Sequence, residues 1–161
     1  SGVLTISHGI SFLTPLLSVF YFFMNFFDTN HRRSFIYFVF FIMALGVLIE
    51  TFIFNRFVYD IVQPTIKGFI PTWLIGIWLA FPCMSLMSLG TVLKSRLLSV
   101  FIGSVSGPLA YHGASRMGAV IIHSGWLPFV ILSLGWAAIM FISHILFLRL
   151  FTKGSDLNHR L

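Results

Sequence analysis

The chain reads as long apolar runs separated by short polar clusters. Five runs stand out, at roughly 10–27, 34–54, 71–93, 97–114 and 126–148, each close to the 20 or so residues a helix needs to cross a bilayer. Between them lie Asp28-Thr29-Asn30-His31-Arg32-Arg33, the longer stretch from Asn55 to Ile70, the tight Lys94-Ser95-Arg96 turn and the connection from Ser115 to Gly125; the tail from Arg149 is polar. The runs are continuous and do not alternate every second residue, which favours helices over a barrel. Lipid offers the backbone no hydrogen-bond partner, so each run must close its own ladder. The pattern therefore predicts an all-α, polytopic transmembrane helical bundle, a single integral membrane domain over residues 1–161. Pro15, Pro82, Pro108 and Pro128 fall within or near the ends of these runs, where each removes a backbone donor and invites a kink.

Composition strengthens this reading. Of the 161 residues, 58% are hydrophobic and 9% charged, against roughly 25% charged in a soluble domain, and mean hydropathy is +0.98. Five spans and their loops use the whole length, so no separate soluble domain is expected. The net charge of +6 sits mainly between the runs, a pattern that reports orientation and not nucleic-acid binding. Arg32, Arg33, Lys94, Arg96, Arg149, Lys153 and Arg160 fall on one side, and Arg56, Lys67 and Arg116 on the other. Basic residues are retained on the cytoplasmic side, so the carboxyl end is expected there. The opening Ser1-Gly2-Val3-Leu4 lacks the positive charge of a signal peptide. Cys83 is the only cysteine, which excludes an intrachain disulfide or a thiolate metal cluster. His8, His31 and His159 lie near ends or loops, and His123 and His144 have no partner at metal-ligand spacing. Nucleophile-elbow and phosphate-loop motifs are absent as well, so neither a metal nor a cofactor is implied.

Polar chemistry concentrates in three places. In the fourth run, Ser99, Gly103 and Gly107 recur every four residues, and Ser106, Ala110 and Ala114 form a neighbouring face; Pro108, Gly113 and Gly118 complete the set of packing positions. Small-residue faces let helix backbones approach closely, so this helix is expected at the buried centre of the bundle, or against a partner helix in a homo- or hetero-oligomer. Its end carries Tyr111, His112 and Arg116, which read either as an interfacial belt or as the polar end of a lipid pocket, with Arg116 gripping an anionic head. Glu50 is an acid well inside an apolar run; at that depth it needs a partner, for which Arg56, Arg116 or a Trp ring nitrogen are the candidates, or else it handles protons or orients a substrate. In the third run Trp73 suits the membrane interface, while the deeper Trp78 needs an acceptor for its ring N–H, and Glu50 can supply one.

The sequence Pro71-x-Trp73 with Trp78 and Phe81, the block Gly103-x-x-x-Gly107-Pro108-x-x-Tyr111-x-Gly113-x-x-Arg116-x-Gly118-Ala119, and Gly135-Trp136 together resemble a family of small bacterial inner-membrane proteins, a domain of unknown function often encoded near cyclopropane-fatty-acid synthase genes. The resemblance runs from about Gly46 to Leu148. It implies a multi-pass protein of the bacterial inner membrane in lipid-related genomic company, with no activity attached. Where the family is expected to carry Trp-Asp, this chain has Ile49-Glu50. Family members are also expected to have six spans, which makes Ser1 to Gly9 read as the remnant of a first one.

Three functions follow as expectations. The leading one is a non-enzymatic protein that binds or moves a lipidic or other apolar small molecule among membrane lipids, using Glu50, Trp73, Trp78, Tyr111, His112 and Arg116. The second is a membrane-embedded lipid-modifying enzyme with Glu50 and His112 as acid and base, which requires both at one substrate position. The third is a structural or assembly subunit of a membrane complex.

Overall fold

A computed structural model describes residues 2–29, 31–62 and 70–152, the side chains of 2–12 and 28 apart. Helices dominate: α1 (Gly2–Asp28), α2 (Arg32–Ile49), the short α3 (Asn55–Phe57), α4 (Thr72–Ser88), α5 (Gly90–Lys94), α6 (Arg96–Arg116) and α7 (Leu127–Phe147). A π-helical turn, Glu50–Phe54, joins α2 to α3, and another, Leu148–Thr152, follows α7. Two continuous helical stretches, Arg32–Phe57 and Leu127–Thr152, are each 26 residues long and apolar enough to cross a membrane, yet most of their apolar residues are not buried inside the fold. A core helix of a soluble protein would be covered, whereas here Tyr37, Phe41, Phe52, Phe129 and Leu134 face outward. Leu13–Phe27 and Thr72–Ser88 are shorter apolar helices. Hydroxyls at Ser18, Thr51, Ser85 and Ser143 each donate to the carbonyl four residues earlier, so these polar groups are satisfied within their own helix.

The structure departs from the sequence expectations at four points. Of the Ser1 to Gly9 stretch, Gly2 to Gly9 belongs to the continuous helix α1 and not to the end of a separate span; a lone glycine weakens a helix without ending it. The third run is divided at Leu89, which leaves helical geometry (φ −109°, ψ 17°) before α5 restarts at Gly90, a residue that gains little from remaining helical. The connections after α3 and α6 contain strands β1 (Tyr59–Ile61) and β2 (Val120–Ile122), paired antiparallel with Tyr59 opposite Ile122 and Ile61 opposite Val120. Their β-branched residues suit a pleated ribbon, and Gly118 (φ 75°) makes the turn that leads α6 into it.

The fourth departure concerns α6, which is not the centre of the bundle. The principal packing series runs α1, α4, α2, α7, α6, leaving α1 and α6 at its two ends. One face of α6 approaches α7 closely: a Cβ added at Gly103 would lie 2.6 Å from the Trp136 carbonyl oxygen, and one at Gly107 would lie 2.3 Å from the Trp136 ring. On its other side Leu97, Phe101 and Leu109 point outward. The Ser99/Gly103/Gly107 face is thus covered within the chain and is not open to a second one. Glycines elsewhere play the same part, since Gly76 meets the backbone of Pro15 and Gly46 meets the ring of Trp78.

The α5–α6 turn is held from α7. His144, buried, donates its Nδ1–H to the Leu93 carbonyl at 2.7 Å, while Ser99 Oγ donates to the Val92 carbonyl at 2.8 Å. Both are among the last carbonyls of α5; that of Val92 also accepts the Ser95 N–H at the helix end, whereas His144 supplies the partner of Leu93. Replacing His144 by Phe keeps a ring but strands the Leu93 carbonyl, at a cost of about 1–2 kcal/mol. Thermal unfolding in detergent should show a midpoint lower by about 2–8 °C; an unchanged midpoint would show that the turn does not depend on this bond.

Candidate functional site

Along α2 and its continuation, Phe38, Ile42, Gly46, Glu50, Phe54 and Val58 are all buried at intervals of four. In an α-helix each such step overshoots the previous position by about 40°. The wider π turn at Glu50–Phe54 corrects that drift and keeps the column facing inward. Glu50 is thereby carried into the core, where it is fully buried.

Three donors from three other parts of the chain converge on its carboxylate. Trp78 of α4 donates its ring N–H to Oε2 at 2.9 Å, Tyr111 of α6 donates its hydroxyl to the same oxygen at 2.5 Å, and Tyr59 of β1 donates to Oε1. Gly46, one turn before Glu50, leaves room for the Trp78 ring, which could not reach the acid past a larger side chain. The β1–β2 ribbon sets Tyr59 beside Tyr111, with ring centroids 5.4 Å apart. Trp136 stacks on Trp78 at 5.2 Å and 15°, and Phe81 meets Trp136 edge-on at 5.0 Å. The Trp136 ring N–H is buried and closes no hydrogen bond among the described residues.

No arginine among the described residues joins this cluster. Arg56 is exposed, with its guanidinium over the Phe52 ring at 5.7 Å, and Arg116 is exposed at the end of α6. The expected partnership of Glu50 with either arginine is therefore replaced by neutral donors, one of them the Trp ring nitrogen. A carboxylate that only accepts is matched by groups that donate.

On the far side of the Tyr59, Trp78 and Tyr111 rings lies a half-enclosed cavity of about 420 Å³, bounded by α1, α4 and α6. It is within the size range of small-molecule sites. From Trp73 to Met84 it follows α4 for about 16 Å at the helical rise per residue. Its α6 wall is the second small-residue face, Ser106, Ala110 and Ala114. Sequence spacing assigned that face to helix packing, but here small side chains leave space instead of filling it with a neighbouring helix. Trp73 lines the cavity and is half-buried. Neither His112, which is exposed, nor Arg116 borders it, and Glu50 lies behind its wall. Glu50 and His112 are thus not brought to one cavity surface, the arrangement a shared acid–base role needs. Pro108 is half-buried, and an added Cβ at Gly113 or Gly118 would meet nothing within 4 Å.

A family model described as a protein of unknown function, DUF2878, matches residues 1–142. The chain belongs to that family. Neither a curated protein nor a solved structure matches it. Within this DUF2878 chain, the sequence block around Gly103–Ala119 combines residues with different tasks: Gly103 and Gly107 close on α7, Ala110 and Ala114 shape the cavity, and Tyr111 reaches the acid. Tyr59 and Trp136 were not among the expected site residues. Tyr59 lies in a connection with no periodic signal, while Trp136 stood in the family pattern without an assigned task.

Proposed function

We propose that this protein is a five-span, non-enzymatic protein of a bacterial inner membrane that binds or moves a lipidic or other apolar small molecule, with its carboxyl end in the cytoplasm. The observation that carries this reading is the aromatic-walled cavity bounded by α1, α4 and α6. Five crossings are supported by the β1–β2 pairing, because it joins the two connections that five crossings leave on one side. The distribution of Lys and Arg supports the orientation. Arg116 lies outside the cavity lining, so anchoring of the ligand falls to the aromatic wall and not to an arginine–anion contact.

Native mass spectrometry of detergent-purified protein tests this directly. The wild type should retain a small-molecule adduct, and Ala110→Trp, which fills the α6 wall with a large ring, should lose most of it. Wild-type protein that is always empty would remove the basis for the reading. An adduct unaffected by Ala110→Trp would place the ligand elsewhere.

A further inference from the structure

The cavity pairs an aromatic wall with a buried acid that has no cationic partner among the described residues. Trp73, Trp78, Phe81, Tyr59, Tyr111 and Trp136 all border it, and no Lys, Arg or His of the described residues does. Immediately behind the rings sits Glu50, whose two oxygens are held by neutral donors. Every ion pair recorded among the described residues lies elsewhere, at His123–Asp60 on the ribbon. With Tyr59, Trp78 and Tyr111 all donating, the arrangement is that of an ionised carboxylate; a protonated one would need the Tyr59 hydroxyl to turn and accept. In a membrane, such an acid marks a functional position by default.

These features act on charge in one direction. A ring attracts a desolvated cation through its quadrupole, and more strongly where water is excluded; Trp78 is covered by Trp136 on one side and by Gly46 on the other, so this attraction falls to the other rings of the lining. The carboxylate behind them adds attraction across a medium of low polarity. An anion in the same place would meet the carboxylate with no basic residue to offset it. Of the hydroxyls on the lining, those of Tyr59 and Tyr111 are committed to Glu50 and that of Ser18 to the Thr14 carbonyl, so a strongly hydrated polar head would lose more than it gained.

Building on the cavity-binding reading above, we propose that the ligand class is a lipophilic organic cation, with charge spread over apolar groups, held by the aromatic wall with Glu50 as its counter-charge. The ligand's apolar body occupies the space left by Ser106, Ala110 and Ala114, while its cationic centre lies against the rings that shield Glu50.

The test uses probes of nearly the same shape and opposite charge. Binding of tetraphenylphosphonium, tetraphenylborate and neutral triphenylphosphine oxide to the full chain in maltoside micelles is measured by equilibrium dialysis, with protein-free micelles as the blank. The phosphonium should bind at least about tenfold more tightly than the borate, a preference of the size expected from one desolvated cation–π contact and one nearby carboxylate. Glu50→Gln should bring the two affinities to within a few-fold of each other while leaving the neutral probe bound. If Glu50→Gln cannot be purified folded, Trp73→Leu serves instead: it makes no bond to Glu50 and should weaken the phosphonium several-fold more than the neutral probe. Equal or tighter binding of the borate by wild type overturns the cation assignment and leaves the cavity reading intact. A charge preference unaltered by Glu50→Gln or, in its place, by Trp73→Leu also overturns it. Failure of all three probes to bind counts against both the assignment and the cavity reading.

Discussion

Glu50→Leu is expected to destabilise the protein more than any other single substitution considered. The leucine removes the acceptor for the Trp78 ring N–H and for the hydroxyls of Tyr59 and Tyr111, all in a fully buried environment. Each orphaned donor costs about 1–3 kcal/mol, so the total is about 3 kcal/mol or more. For a chain of this size the unfolding midpoint should fall by at least about 6–12 °C. Glu50→Gln separates hydrogen bonding from charge. Its amide oxygen can occupy the Oε2 position and keep the bonds from Trp78 and Tyr111, while its NH₂ group faces Tyr59, whose hydroxyl can rotate to accept. The glutamine variant should therefore lose less than half as much stability as the leucine variant. Thermal unfolding of the three proteins in the same detergent checks the order; a leucine variant as stable as wild type would show that the cluster contributes nothing to folding.

The second large effect is steric. Gly103→Leu should force α6 away from α7, because even the Cβ would lie 2.6 Å from the Trp136 carbonyl oxygen and 2.8 Å from Met140 Cγ. A methionine tail can move, but a helix backbone carbonyl cannot do so without shifting the helix. Overpacking of this kind costs about 1–3 kcal/mol, and a leucine adds atoms beyond the clashing Cβ, so the upper end is expected. The same movement displaces Trp136, which stacks on Trp78. Gly113→Ala provides the contrast on the same helix. Nothing lies within 4 Å of its added Cβ, and alanine in place of glycine favours the helix by about 1 kcal/mol. Gly103→Leu should lower the unfolding midpoint and Gly113→Ala should leave it unchanged or raise it. Equal effects from the two would rule out close α6–α7 approach as the reason for the glycine.

The contrast between these glycines shows where sequence spacing stops being informative. Gly103, Gly107 and Gly113 all stand in one small-residue block, and their identity alone does not say which helix lies opposite. Two meet Trp136, while the third meets open space. Glu50 was legible as a residue that had to find a partner, because an acid in an apolar run cannot be left bare, and Trp78 was one of its candidate partners. Tyr111 and Tyr59 were not legible as the other two. Tyr111 is 61 residues from Glu50 in sequence, and its hydroxyl reaches the acid only because α6 stands beside the bundle with Gly107 closed on α7. Tyr59 reaches it only because its strand pairs with one that begins at Val120.

Taken alone, the sequence determined the helical class, the approximate positions of the apolar segments and the need of one buried acid for donors. Each of these follows from local chemistry: unbroken apolar runs, a backbone that must pair with itself, and the cost of removing a carboxylate from water. Only the tertiary structure decided that α6 lies at an edge, that Arg56 and Arg116 stay away from Glu50, and that Ala110 and Ala114 border a cavity instead of a helix. Those outcomes depend on which faces meet. In an apolar chain many faces are chemically alike, so shape at contacts such as Gly103 on Trp136 and Gly46 on Trp78 makes the choice.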